Sequence, residues 1–165
     1  DTILTAGVNT PSAMNGQNWH FSAITDKELL AQIAEDMSSG ISSGTGASDN
    51  GTLAKAGIAD APLAIVISCA EGSEFDAGLA CQAMSAAAVL LGYGTKIVSS
   101  PTIALNGENQ SEYRELLGIP EDYSAAAVLL VGYADETIDE TADGYTGATE
   151  RNEFESVVTY VDGNS

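Results

Sequence analysis

The sequence predicts one α/β or α+β domain built around a small sheet. Its 165 residues have the length of a single ordinary domain, and 44% hydrophobic with 18% charged residues is globular composition. Segments with helical spacing alternate loosely with short, continuous β-branched runs, and neither an internal repeat nor a second domain is visible. We therefore expect residues 1–165 to share one hydrophobic core.

Four segments predict strands of this sheet. HFSAIT at 20–25 alternates apolar and polar residues, and TKIVSS at 95–100 is a brief β-branched run. APLAIVISCA at 61–70 and AAAVLLVGY at 125–133 are continuously apolar, which is typical of strands buried on both faces. A fifth segment, FESVVTYV at 154–161, alternates in the same way and is expected to complete a sheet some distance away, in a partner subunit.

Three segments predict helices. TDKE at 25–28 has the form of a capping box and is followed by apolar residues at helical spacing, until the Gly and Ser residues of 38–51 end the helix in a loop. FDAGLACQAMSAAAVLL at 75–91 reads as a helix stopped by Gly92 and Gly94, and SEYRELLG at 111–118 as a short helix closed by its glycine. The acidic, Gly-rich segment 135–150 is predicted to be a loop.

The helix at 75–91 is apolar nearly all round and rich in Ala, Gly, Ser and Cys. Small side chains let two helix backbones approach closely. We expect this helix to be central and to pack against a second copy of itself.

The net negative charge of the chain disfavours two classes of partner. Five Lys and Arg against 24 Asp and Glu give a net charge of -19, so nucleic acid and anionic membrane surfaces are disfavoured. The acidity is interpreted as a solvated surface that slightly favours a location outside the cytoplasm, as does the start at Asp1. No apolar stretch reaches the roughly 18 residues of a membrane span. A bound phosphate would depend on backbone N–H groups or on the five cations, Lys27, Lys55, Lys96, Arg114 and Arg151.

No metal, P-loop or Ser-His-Asp pattern is visible, and the two cysteines lack a C-x-x-C or zinc spacing. Cys69 and Cys81 lie in apolar runs and are interpreted as buried thiols. Any chemistry would then come from a bound cofactor.

The stretch NTPSAMNGQNWHF at 9–21 carries four amides, two hydroxyls and the only histidine. These residue types are common in turns, so a turn-forming loop is one interpretation. The other is a loop that contacts a flat ligand through hydrogen bonds. His20 is interpreted as a satisfied, partly buried side chain and Trp19 as a core anchor, while Tyr133 and Tyr145 are expected to cap a strand and fill a loop.

Four separated segments, in order, resemble the FMN-dependent nitroreductase family. PSAMNGQNW at 11–19 is similar to the P-S-x-x-N-x-Q-P-W loop of that family, except for Asn18 in place of proline. DAGLACQAMSAAAVLLGYGT at 76–95 is similar to its long central helix, LGIPEDYSAAAVLLVGY at 117–133 to its Leu-Gly-Ile-Pro segment and core strand, and RNEFESVV at 151–158 to its tail.

The resemblance implies an α+β fold with a central, mostly antiparallel sheet surrounded by helices, assembled as a domain-swapped homodimer. Two FMN molecules would lie in clefts between the subunits. NAD(P)H would deliver a hydride through the flavin to an electron-poor small molecule, such as a nitroaromatic or a quinone, by a ping-pong mechanism. No side chain is assigned as catalytic.

The resemblance also implies the binding residues. The ring would be contacted from the first loop, and the backbone at Ser99 and Ser100 would approach it. Arg151 would bind the phosphate, and Lys96 is a further candidate for the phosphate or for the N1 edge of the flavin. The first-loop residues are Pro11, Ser12, Ala13, Asn15 and Gln17.

The family's opening helix and its Arg-x-Ser-x-Arg phosphate motif have no match in this sequence. Either a segment before Asp1 carries them, or the protein lacks part of the clamp. An alternative therefore stays open, in which the chain is a non-catalytic binding module that kept the fold and lost the phosphate clamp.

Overall fold

The computed structural model describes residues 1–42, 57–134 and 151–161. The chain divides into two compact units, Asp1–Ala134 and Asp135–Ser165, and each is described by itself.

The first unit is built on a four-stranded sheet. Its strands are β1 (Trp19–Ile24), β2 (Leu63–Ala70), β3 (Gly94–Val98) and β4 (Tyr123–Gly132), in the order β1-β2-β4-β3. Every neighbouring pair is antiparallel. The four strands predicted in this region and the mostly antiparallel sheet are therefore confirmed, and the fold is α+β.

Helices cover both faces of the sheet, because the central strands are apolar on both sides. Ala64 and Val66 face one cluster, with α2 (Lys27–Ser42), α4 (Thr102–Leu105) and α5 (Gln110–Leu117). Ile65 and Ile67 face the other, with α1 (Thr2–Val8) and α3 (Glu74–Leu90). Six consecutive residues of β2 are buried, as its continuous apolar run predicts.

Helix α2 differs from its prediction at both ends. Its N-terminal cap is Asp26, whose Oδ1 accepts hydrogen bonds from the backbone N–H of Glu28 at 2.9 Å and of Leu29 at 3.4 Å, rather than Thr25 of the predicted capping box. The helix also continues to Ser42, so the predicted loop at 38–51 is wrong for its first five residues. There the hydroxyl of Ser39 donates to the carbonyl of Glu35, four residues earlier, which accommodates a polar side chain within the helix.

Helices α3 and α5 match their predictions closely. Gly92 and Gly118 follow their last turns with φ angles of 87° and 65°, a left-handed conformation that glycine adopts without strain. The short helices α1 and α4 were not predicted. Helix α1 packs on α3 at Gly7, where an added Cβ would lie 2.8 Å from Sδ of Met84, so any larger residue here would have to displace the Met84 side chain.

The described part of the second unit contains one helical turn, α6 (Phe154–Val157). The strand predicted over 154–161 is wrong there, because the backbone N–H and the hydroxyl of Ser156 both donate to the carbonyl of Glu153 and close a turn. Residues 158–161 lie outside any helix or strand. The predicted loop at 135–150, with Tyr145, and the remainder of the loop at 43–51, together with Lys55, lie outside the described residues.

Within the described ranges, no helix is long and apolar enough to cross a membrane. The same residues contain no group of three or more His, Cys, Asp or Glu side chains that could bind a metal ion.

Candidate functional site

The loop of residues 9–18 connects α1 to β1 and lies at the end of the sheet where α3 begins. Trp19, the first residue of β1, pairs with Cys69 near the end of β2, and α3 starts five residues after Cys69. The loop therefore borders the N-terminal turn of the long helix.

Three hydrogen bonds attach the loop to this region. The backbone N–H of Ala13 donates to Oδ2 of Asp76 at 3.0 Å. Nδ2 of Asn18 donates to Oγ of Ser73 at 3.4 Å, and the carbonyl of Asn18 accepts from the N–H of Ala70 at 3.3 Å. Asn18, which replaces the proline of the family loop, thus gains a side-chain contact that proline could not make.

The loop backbone is strained. Met14, Asn15 and Gln17 have φ angles of 52°, 57° and 50°, in the left-handed region that non-glycine residues rarely adopt. Local bonds close the turn, because Oγ of Ser12 accepts from the N–H of Gln17 at 3.0 Å and the N–H of Gly16 donates to the carbonyl of Ala13. Such strain is concentrated at binding sites, where the surrounding structure maintains it.

The loop presents neutral hydrogen-bonding groups to its surroundings. Pro11, Ala13, Asn15 and Gln17 are exposed and Ser12 is half-buried. The Asn15 carboxamide makes no hydrogen bond to another described residue, whereas Nε2 of Gln17 donates weakly to the carbonyl of Asn15 at 3.3 Å. The turn-forming interpretation therefore applies in part to Gln17, and the Asn15 side chain is left with both donors and acceptors for a ligand.

Ser99 and Ser100 are not adjacent to this loop within one copy of the chain. They follow β3, which is three strands away from β1, a separation of roughly 14 Å at about 4.8 Å per strand. Their carbonyls accept from the N–H groups of Thr102 and Ile103 and begin α4. In the described residues no hydrogen bond joins these serines to the first loop.

Two of the cations that were considered for a phosphate are already engaged. Nζ of Lys27 donates to the carbonyls of Asp60 and Ala61 at 3.1 and 2.7 Å. Nη2 of Arg114 donates to the carbonyl of Tyr123 at 2.8 Å.

The cations that remain are exposed. Lys96 lies on the edge strand β3, opposite Leu130, and Arg151 lies in the second unit. Neither forms a hydrogen bond to another residue of the described ranges. These two are therefore the described cations available for an anionic group.

His20 is satisfied by protein contacts, as predicted. Its Nε2 donates to the carbonyl of Leu117 at 3.3 Å, and this carbonyl also accepts from Oγ of Ser22 at 2.7 Å. Trp19 is half-buried rather than a fully buried anchor, and it stacks on Phe21 with ring centroids 6.1 Å apart.

Tyr133 is 82% exposed and lies just after β4, with its ring centroid 5.4 Å from that of Tyr93. Its described ring contact is with Tyr93, and the capping of the strand by Tyr133 stays a prediction.

Helix α3 leaves one apolar face uncovered in the single chain. Phe75 and Leu90 are 77% and 88% exposed, and Leu79 and Val89 lie on the same face. Gly78 lies between Phe75 and Leu79 in the sequence, and no atom lies within 4 Å of a Cβ added to it. A glycine within a helix lowers its stability, and no neighbouring atom of the described residues requires one at this position.

The two cysteines are buried, as predicted, and neither forms a disulfide. Burial raises the pKa of Cys81 to about 11, and burial followed by the nearby Glu74 carboxylate raises the pKa of Cys69. Because the thiolate is the reactive form, these groups are inert at neutral pH.

Sequence reasoning did not identify Asp76 as part of the site. An acidic residue in the first turn of a helix is common in any protein, because the helix dipole favours it there. Its contact with Ala13 spans 63 residues of sequence, and only the tertiary structure reveals it.

Known proteins with similar sequences and structures were identified. The sequence model described as "Nitroreductase family" matches residues 1–133. A protein of Archaeoglobus fulgidus named "Putative NADH dehydrogenase/NAD(P)H nitroreductase" is 29% identical over 139 residues, which are 81% of this chain and 71% of that protein.

Two crystal structures are similar over almost the whole chain. A nitroreductase with bound FMN from Desulfitobacterium hafniense has a TM-score of 0.78 at 25% identity, covering 98% of this chain and 85% of that chain. A nitroreductase with bound FMN from Bacteroides fragilis has a TM-score of 0.76 at 21% identity, with the same coverage of 98% and 85%, which supports the fold.

Proposed function

This chain belongs to the nitroreductase family, and from that premise we propose that it is an FMN-dependent oxidoreductase. Its reductant is NAD(P)H and its acceptor is an electron-poor small molecule such as a nitroaromatic or a quinone, reduced in a second half-reaction. The similar structure from Desulfitobacterium hafniense, which is a nitroreductase with bound FMN, supports the choice of cofactor. The name of the Archaeoglobus fulgidus relative supports the choice of reductant.

The observation that carries the proposal is the strained loop of residues 11–17. Its groups are neutral carboxamides, a hydroxyl and backbone N–H and C=O groups, and the flavin ring offers acceptors and a donor along its pyrimidine edge. The chemistry of this donor set fits FMN without placing a carboxylate of the loop itself against the ring.

We assign the binding roles as follows. Pro11, Ser12, Ala13, Asn15 and Gln17 would contact the ring, and the backbone at Ser99 and Ser100 would approach it. Arg151 binds the phosphate, because a guanidinium can donate two parallel hydrogen bonds to it. Lys96 is the second described cation that is free to take part.

FMN supplies the redox chemistry when it is bound, by accepting a hydride and passing it to the acceptor. The chain provides position and electrostatics. Neutral amides would orient the ring without adding charge, and N–H groups of the loop would stabilise the negative charge that develops on a bound flavin when it is reduced. No side chain of the chain needs to act as a nucleophile.

We propose that the site is completed by a second copy of the chain. In one copy the first loop and Ser99–Ser100 lie at opposite edges of the sheet, so the residues assigned to the ring do not lie together within one copy. The uncovered apolar face of α3, with its open Gly78, provides a surface on which two copies would pack. The tail that contains Arg151 would extend to the partner, as in a domain-swapped homodimer.

The proposal is tested by purifying the protein and titrating it with FMN. We expect the bound flavin to colour the protein yellow, its fluorescence to be quenched, and its absorption to bleach under anaerobic conditions when NADH or NADPH is added. A folded protein that takes up no FMN would contradict the proposal and favour the non-catalytic binding module.

Two variants test the phosphate assignment. Arg151→Ala should weaken FMN binding, while Arg151→Lys should retain part of the affinity because the charge is kept. Equal affinity of Arg151→Ala and the wild type would reject the role assigned to Arg151.

A further inference from the structure

We propose that Asp76 is a positioning residue for the flavin, an inference that rests on the proposed function. Its role is to hold the loop of residues 11–17 in the strained shape that presents Asn15 and Gln17 to the ring. Asp76 contacts the loop from α3 and need not touch the ring itself.

The hydrogen-bond pattern singles out this residue. In residues 11–17 the other hydrogen bonds between described residues are local and join members of the loop to one another. The bond from the N–H of Ala13 to Oδ2 of Asp76, at 3.0 Å, is the one that connects the segment to a different element of the described structure. The remaining attachments, through Asn18, lie after the strained residues.

The bond to Asp76 lies directly beside the strained part of the loop. Ala13 directly precedes Met14 and Asn15, whose φ angles of 52° and 57° are unfavourable for side chains with a Cβ. A free loop would relax toward commoner backbone angles, so the strained conformation needs support from outside. A hydrogen bond to an ionised carboxylate is stronger than a neutral one and is suited to that purpose.

Asp76 also lies in the first turn of α3, together with Glu74, so its removal affects the helix as well as the loop. Glu74 provides the matched control. Its Oε1 accepts from the N–H of Gly72 within the same turn, and it makes no hydrogen bond to the first loop among the described residues. Glu74→Ala therefore removes an acidic residue from the same helix turn and leaves the loop attachment intact.

Substitution by asparagine separates the hydrogen bond from the charge. Asp76→Asn keeps an oxygen that can accept from the N–H of Ala13, whereas Asp76→Ala does not. A positioning role predicts weak FMN binding by Asp76→Ala and recovery in Asp76→Asn. A role through the negative charge at the helix terminus predicts that both variants are equally impaired.

The experiment measures the FMN dissociation constant by fluorescence quenching for the wild type, Asp76→Ala, Asp76→Asn and Glu74→Ala. We expect Asp76→Ala to bind FMN roughly tenfold more weakly, as the loss of one charge-assisted hydrogen bond implies. Asp76→Asn should bind more tightly than Asp76→Ala because it keeps a neutral hydrogen bond, and Glu74→Ala should remain close to the wild type. The second readout is amide hydrogen exchange in FMN-free protein, where Asp76→Ala should accelerate exchange in the peptide spanning residues 12–17 and leave α3 protected.

Each outcome decides between the two proposals. If the wild type binds FMN and Asp76→Ala binds it equally well, or if the loop peptide exchanges at the same rate in both, the positioning role is overturned and the proposed function stands. If the wild type binds no FMN, the proposed function fails, and so does the flavin role of Asp76. If Asp76→Ala does not fold, the affinities of Asp76→Asn and Glu74→Ala decide: a role through the charge of the helix terminus impairs both variants alike, whereas a positioning role leaves Glu74→Ala at the wild-type affinity.

Discussion

The side chain of Asn106 pairs with the backbone of Ala125 as though it were an additional residue of β3. Its Nδ2 donates to the carbonyl of Ala125 at 2.9 Å, and its Oδ1 accepts from the N–H of Ala125 at 2.9 Å. Strand β3 pairs with β4 only as far as Val128, so one carboxamide replaces the missing strand at this point of the sheet edge.

Asn106→Ala should lower the free energy of unfolding by about 1–3 kcal/mol, because it leaves both partly buried backbone groups of Ala125 without partners. Urea unfolding measures this change. Glu108→Ala, at an exposed position of the same turn, is the control and should have little effect. Equal stability of the two variants would show that solvent replaces the carboxamide.

Asp26→Ala should destabilise the protein by about 1 kcal/mol, because Oδ1 of Asp26 caps the first turn of α2. Thr25→Ala is the comparison, since the capping-box pattern assigns that role to Thr25. Thermal unfolding of both variants distinguishes the two residues. A larger loss for Thr25→Ala would contradict the cap observed in the structure.

If two copies pack through α3 as proposed, Gly78→Leu should shift the protein from dimer to monomer, because the side chain would occupy the open space on the exposed face of α3. Light scattering coupled to gel filtration measures the molar mass. Gln32→Leu adds the same side chain to an exposed position of α2 and should leave the dimer intact. A dimer that persists in Gly78→Leu would place the interface elsewhere.

The stability of the protein should fall as the pH rises from about 9 towards 11. The pKa of Cys81 is raised by burial from its ordinary value of 9.0 to about 11, so in this range the unfolded chain loses the thiol proton while the folded chain keeps it. Cys81→Ala should flatten this part of the pH dependence. Urea titrations between pH 8 and 11 would reveal it, and identical slopes for the variant and the wild type would contradict the assignment.

Most of the sheet could be predicted from sequence, because its strands are dense runs of apolar residues. β2 and β4 are continuously apolar, so the local sequence alone predicts each of them as a buried strand. The short helices α1 and α4 gave no comparable signal, since neither begins with a side-chain cap. The segment at 154–161 alternates like a strand, yet the bonds from Ser156 to Glu153 close a helical turn.

The candidate site was predictable only in part. The composition of the first loop indicated hydrogen bonding to a ligand, but its left-handed backbone at Met14, Asn15 and Gln17 does not follow from residue type. The contact between Ala13 and Asp76 depends on how α3 packs beside the start of β1. Information of this kind resides in the tertiary structure.

The shared acceptor at Leu117 joins two parts of the chain that are far apart in sequence. A carbonyl oxygen can only accept, so Nε2 of His20 and Oγ of Ser22 both donate to this one atom from β1. Leu117 is the last residue of α5, and 97 and 95 residues of sequence separate it from the two donors. A substitution that displaces the last turn of α5 would therefore also disturb β1, which directly follows the first loop.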